Sequence, residues 1–246
     1  MAGTLAGFEV RAATERDAPV MAALDRQAFA GLGMGHYGES HVQCWLEVNP
    51  EGLLVAWRDG TAVACCYSQY VDFSPGDVSL LTTDAEFTDS ALTGKTHCPS
   101  GNSIHVVTVS SIVPGGRQAL FETLMRQLIT QKREFLILFS RICGLRDYCR
   151  VLTEKGFDVD SFGLERVARW YVAQCVVQFG GAGVWPGVKH EPLGLPPPVA
   201  PDPVLNRYLK DPGAEVAAVR TDWIEDPASR NCSALVVIRN PMLATP

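Results

Sequence analysis

Residues 106–125, VVTVSSIVPGGRQALFETLM, constrain the fold more than any other stretch. An apolar strand, expected over 104–110, enters a Pro114-Gly115-Gly116 turn and leaves it as an amphipathic helix from about Arg117 to Lys132. Leu120, Leu124 and Leu128 recur at helical spacing, and Phe121, Met125 and Ile129 widen that stripe. Lys132 and Arg133 end the helix where its dipole favours cations. A strand feeding a helix through so short a turn belongs to an α/β architecture. The first N–H groups of such a helix have no internal partner, and glycine allows close approach. Two readings follow: an anion cradle, with Arg117 adding charge, or a plain reversal of the chain.

The rest of the chain extends this pattern. FEVRAAT, 8–14, alternates like a half-buried strand, and Thr14 with Asp17 forms an approximate capping box for a helix striped by Val20, Leu24 and Ala28. Glycines at 31–38 break it into a loop. LLVAWRDGTAVACCYSQYV, 53–71, is the clearest hairpin, with Asp59-Gly60 supplying the positive φ of a tight turn. Residues 72–103 lack a sustained period and read as an excursion with a short strand at 78–81. FLILFS, 135–140, is a buried strand, and LRDYCRVLTEKGF is a helix stopped by Gly156. The order βαβββαβα predicts a mixed sheet flanked by helices, one domain over 1–246. Residues 176–203 are rich in Gly and Pro and read as an insertion or linker loop. A helix at 203–210 and the strands EVAAV and ALVVIRN are expected to complete the same domain.

Bulk chemistry narrows the partners. A net charge of −6 argues against a nucleic-acid footprint, and means that any phosphate site must rest on local backbone geometry. No stretch approaches the roughly 18 apolar residues of a spanning helix, and the start carries no basic signal, so a cytoplasmic protein without a membrane partner is expected. The eight cysteines contain no Cys-x-x-Cys pair, and Cys65, Cys66 and Cys175 lie in apolar surroundings. They read as small core residues, and no metal site is expected.

Element order and motif together resemble the GNAT acyltransferases, in which a strand, a V-x-P and a Gln/Arg-x-x-Gly-x-Gly/Ala turn hold the pyrophosphate of acetyl-CoA. Val113, Pro114 and Arg117 match; the inner glycines do not, with Leu120 and Glu122 in their neighbourhood. NPEGLLVAWRDGTAVACCYSQYV, FSRICGLRDY, DPVLNRYLKDPGAEV and ASRNCSALVVIRN resemble, in the same order, four runs of the GNAT-like domains in curacin-type polyketide synthase loading modules. The resemblance spans roughly residues 8–240 and implies the GNAT fold.

It also implies a function: an acyltransferase-like enzyme acting on acyl-CoA or carrier-protein thioesters, by acyl transfer or malonyl decarboxylation. Acetyl-CoA or malonyl-CoA, or the phosphopantetheine of an acyl carrier protein, would be the substrate. Its phosphate end would sit on Val113, Gly115, Gly116, Arg117, Gln118 and Ala119. The group's threonine falls on Ser140 and its catalytic histidine on or beside Tyr208. Its arginine falls near Ile224, with Arg220 the nearest cation. Tyrosine donates a hydrogen bond but is a poor base near neutral pH. Two further readings stand beside this one. One is a docking pseudoenzyme presenting LGLPPPVAP as a polyproline ligand; the other is an N-acetyltransferase with acidic residues of 72–90 facing an amine.

Overall fold

The computed structural model describes residues 3–5, 7–30, 36–80, 83–179, 183–185, 188, 192–211 and 213–243. The glycine loop over 31–35 and the centre of the 176–203 stretch therefore lie outside the described residues. Contacts gather the chain into two compact units.

The first unit, residues 1–73, 84–136 and 240–246, is built on antiparallel strands. These are β1 (Gly3–Leu5), β2 (Phe8–Ala12), β3 (Leu53–Arg58), β4 (Thr61–Val71) and β5 (Ser103–Ser111), each paired with the next. The hairpin forms as expected: Asp59 and Gly60 both take positive φ, 51° and 74°, as a two-residue turn matched to strand twist requires. Alternation along β3 and β4 then builds two apolar faces. Leu53, Val55, Cys65 and Tyr67 meet α1 (Ala18–Ala28) and α2 (Glu39–Val48) through Met21, Leu24 and Trp45. The opposite face takes α4 (Gly116–Thr130), whose Leu120, Leu124 and Leu128 are all fully buried. Both strand faces are covered, so β4 reads as a continuous apolar run rather than an alternating one.

At the head of α1 the expected capping box forms around Asp17. Thr14 donates both its N–H and its hydroxyl to Asp17, at 2.8 Å each, and Arg11 grips the same carboxylate with two 2.8 Å bonds. The strand expected at 78–81 does not form over 78–80: Pro75–Leu80 is a 3-10 helix, as Pro75-Gly76 at its start favours a turn, residue 81 lies outside the described residues, and a short α3 (Asp84–Phe87) follows.

The second unit, residues 74–83 and 137–239, takes β6 (Phe135–Arg141) from Ile137 onward. After it come α5 (Leu145–Glu154), α6 (Val159–Phe162) and α7 (Leu164–Phe179). The short β7 (Gly183–Val184), α8 (Leu205–Tyr208), β8 (Ala214–Arg220) and β9 (Ser233–Arg239) complete it. β8 pairs with β9 antiparallel and with β7 parallel, and β9 borders β6. The sheet is thus mixed, as expected. Helix α7 runs into the predicted insertion. Val167, Ala168, Tyr171, Val172, Cys175 and Val176 are buried at spacings of one, three and four, so Val176, which opens the 176–203 stretch, belongs to a buried helix face. The helix expected over 203–210 shortens to the single turn of α8.

Candidate functional site

The turn after β5 is shaped by its glycines. Gly115 caps α4 with φ +87°, and a Cβ there would lie 3.1 Å from the Phe8 ring. At Gly116 a Cβ would lie 2.8 Å from Ser111 Oγ and 3.0 Å from Ala64 Cβ. Both positions hold the chain tighter than a side chain permits. Ser111 Oγ donates to the Val113 carbonyl at 2.9 Å, and the Ala119 amide donates to the Gly115 carbonyl at 3.0 Å. Between them lies the Gln118 amide, in the first turn, where a helix supplies no internal acceptor. Leu120 is 0 % exposed and packs inward, and Glu122 accepts from Gln118 Nε2 at 3.2 Å. Neither side chain covers the amides, although each occupies the neighbourhood where the resemblance leads one to expect glycine.

Upstream, β5 carries an irregularity that no sequence signal announced. Tyr67 pairs with Thr108 and Ser68 with Val106, leaving Val107 as an extra residue. Such a bulge re-aims backbone groups locally. Val107, Thr108 and Val109 are half-buried, whereas residues 103–106 are buried. Behind this segment lies Asp25 of α1, 4 % exposed, accepting from Ser110 Oγ at 2.5 Å, the Tyr37 amide at 2.7 Å and Thr108 Oγ1 at 3.5 Å. Its signal in the sequence is a lone carboxylate beside the Leu24 stripe.

His105, at the start of the same strand, is a core residue. Its Nδ1 lies 3.2 Å from Gln69 Nε2, which also donates to the Phe87 carbonyl at 3.1 Å, and Thr96 donates to Gln69 Oε1 at 2.8 Å. Burial depresses the His105 pKa to about 3, so the ring is neutral at physiological pH. Asp84 moves the other way: burial raises its pKa to about 6.

The acyl-end candidates lie in the second unit. Ser140, on β6, is buried and donates its hydroxyl to the Arg141 carbonyl at 3.0 Å. Arg141 makes two 2.7 Å bonds to Asp226, which is wholly buried and also accepts from Ser229 Oγ and the Ala228 amide. Burial opposes the charge on Asp226, yet Arg141 and Ser229 hold its pKa below the usual value. Tyr208 is half-buried at the end of α8, and its carbonyl accepts from the Asp211 amide at 3.0 Å. The start of α8 is fixed by Asp202, buried and accepting from the Val204, Leu205 and Gly144 amides and the Tyr171 hydroxyl. Arg220 donates to the Val78 carbonyl, its Nε has no acceptor among the described residues, and burial lowers its pKa.

The proline run is packed on its own unit. Leu195 and Pro198 are buried three residues apart, one turn of a polyproline helix, and Tyr148 donates to the Pro196 carbonyl at 2.7 Å. Pro197, Val199 and Ala200 remain exposed. Among the described residues no group of three or more His, Cys, Asp or Glu is placed to hold a metal, and no helix is long and apolar enough to cross a membrane.

No family model matches the chain, and no curated protein does. Among solved structures it is similar to the GphF GNAT-like decarboxylase in complex with isobutyryl-CoA: 18% identity over 94% of this chain and 98% of that one, TM-score 0.65. It is also similar to the loading GNATL domain of CurA from Lyngbya majuscula, at 14% identity over 95% and 98%, TM-score 0.63. A ribosomal-protein-S5-alanine acetyltransferase from Vibrio fischeri matches at 9% identity over the full length of both chains, TM-score 0.51. At these identities the likeness defines the fold: the chain has the α/β GNAT fold, with a mixed sheet flanked by helices.

Proposed function

We propose that the chain handles an acyl thioester of CoA or of carrier-protein phosphopantetheine, with its phosphate end on the turn from Val113 to Ala119. One observation carries this reading: the left-handed Gly115 and the sealed Gly116 open the first turn of α4, while Leu120 packs away and Glu122 pairs with Gln118. Helix N-termini with such amides favour phosphate even on an acidic protein. The Arg117 side chain adds a positive charge at the same turn.

For the acyl end we assign Ser140 and Tyr208 as hydrogen-bond donors to a thioester oxygen as negative charge develops on it, the Ser140 hydroxyl turning to it from the Arg141 carbonyl. Acyl transfer suits these groups better than malonyl decarboxylation. Decarboxylation breaks the bond between the α-carbon and the carboxylate, moves its electron pair into a thioester enolate and then needs a proton at carbon. Arg220, the nearest counterpart of a carboxylate anchor, already binds the Val78 carbonyl, and tyrosine is a weak proton donor at neutral pH.

The test is mass spectrometry of holo and malonyl-loaded acyl carrier protein incubated with the chain. Acetyl-CoA should yield acetylated carrier protein, and Ser140→Ala should slow this on the order of tenfold to a hundredfold. Loss of the malonyl mass without an acetyl donor would establish decarboxylation instead. No change in either carrier protein would refute catalysis on carrier-bound thioesters.

A further inference from the structure

Between α3 and β5 the backbone takes a conformation that its residues resist. Asp89, Ser90, Ala91 and Thr93 have φ of 52°, 54°, 67° and 61°, so four residues within five are left-handed and none is glycine. That region is disfavoured for alanine and serine, and a β-branched threonine there is an outlier. Side chains hold the segment down. Trp45 Nε1 donates to the Ala91 carbonyl at 2.5 Å, and the Tyr67 and Thr93 hydroxyls meet at 2.7 Å. The Thr88 hydroxyl accepts from the Ala91 amide at 2.9 Å. Both ends are fastened to one side chain of β4: Gln69 donates to the Phe87 carbonyl at 3.1 Å and accepts from the Thr96 hydroxyl at 2.8 Å.

His105 lies under this segment. The Phe87 ring stands 4.7 Å from the imidazole, edge to face, and His105 is 2 % exposed. Ala85, Ser90, Leu92, Gly94 and Lys95 are exposed, so the other side of the segment meets solvent. The single turn of α3 is too short to be stable by itself. Strain therefore favours release, and a small set of contacts opposes it. Backbone strain of this kind persists only where neighbours over-determine it, and it collects at clamps and switches. Segments so held open at less than the cost of global unfolding. We propose that residues 84–97 form a lid that opens as a unit and exposes the His105 imidazole. The lid ends before Cys98, whose amide donates to the Tyr70 carbonyl at 2.7 Å. Once uncovered, the imidazole is a proton acceptor near neutral pH, on the strand that runs into the Gly115 turn. The lid stands whether or not that turn seats a thioester.

Two measurements on the whole chain test this: amide hydrogen exchange, and modification by diethyl pyrocarbonate mapped by mass spectrometry. At pH 7.5 His105 is neutral whether covered or open, and Asp84 is ionised in both states, so contacts and strain set the opening. The rate at His105 divided by that at the exposed His36 gives the open fraction. It should match the fraction read from the amides of 84–97, and exceed at least tenfold the unfolded fraction read from buried amides of β4. Ser90 is exposed, so changing it removes no buried surface. Ser90→Asn suits a left-handed φ and should lower the open fraction; Ser90→Val resists it and should raise the fraction, each by about threefold to tenfold. His105 modified no faster than the unfolded fraction of β4 allows would overturn the lid. So would modification at the wild-type rate in either Ser90 variant.

Discussion

Gly115 shows how a single residue sets the candidate site. At φ +87° an L-residue is strained by about 1–2 kcal/mol, and the added methyl would also press on Phe8. Gly115→Ala should therefore lower unfolding stability by about that amount in urea titration; an unchanged midpoint would mean the turn relaxes freely. The buried His105 and the half-buried Asp84 make opposite predictions with pH. His105 is neutral when folded, with a pKa of about 3 against 6.5 unfolded, so its contribution is intact above 6.5 and is lost as pH falls below it. Asp84 has a folded pKa of about 6 against 3.8 unfolded, so it favours the folded state below about 4 and loses that contribution as pH rises to 6. Between pH 4 and 6 the two oppose. His105→Gln should flatten the acid-side loss of stability and Asp84→Asn should steepen it, read as urea midpoints against pH. Matching slopes in the two variants would contradict both assignments. The neutrality of His105 comes from burial against Phe87 and Gln69, contacts made at long sequence separation.

Elements were legible where local chemistry sets them. The Asp59-Gly60 hairpin, the β5–turn–α4 unit and the Gly156 stop follow from turn residues and period, and appear within a few residues of expectation. Helices α2 and α7 did not register. Glu39–Val48 follows a glycine loop with only a short apolar stripe, and the end of α7 abuts a Gly/Pro-rich tract that masks its period. The bulge at Val107 lacks Gly or Pro and arises from pairing with β4, so nothing local encodes it. The Arg141–Asp226 pair joins β6 to a loop 85 residues away, again invisible to a window. Arg141→Ala leaves Asp226 buried without its partner and should cost about 3–5 kcal/mol in unfolding free energy. A cost below 1 kcal/mol would show that water reaches the carboxylate.

For the whole molecule, the acidic balance opposes the proposed phosphate seat, which rests on the local geometry of one turn. The charge of −6 belongs to the whole chain, whereas the proposed seat would act within one helical turn, where dipole and hydrogen bonds are strongest. The four separated runs that resemble GNAT-like loading domains led to the correct fold. The proposed acyl-end residues were less legible because Ser140 and Tyr208 take meaning only from what surrounds them. The most direct measurement is calorimetric titration of the chain and of its Arg117→Glu variant with CoA. Saturable one-to-one binding by the wild type, weakened at least tenfold by the reversed charge, is the predicted result; an absence of heat up to millimolar CoA, or equal binding by both proteins, would contradict a phosphate seat at the head of α4.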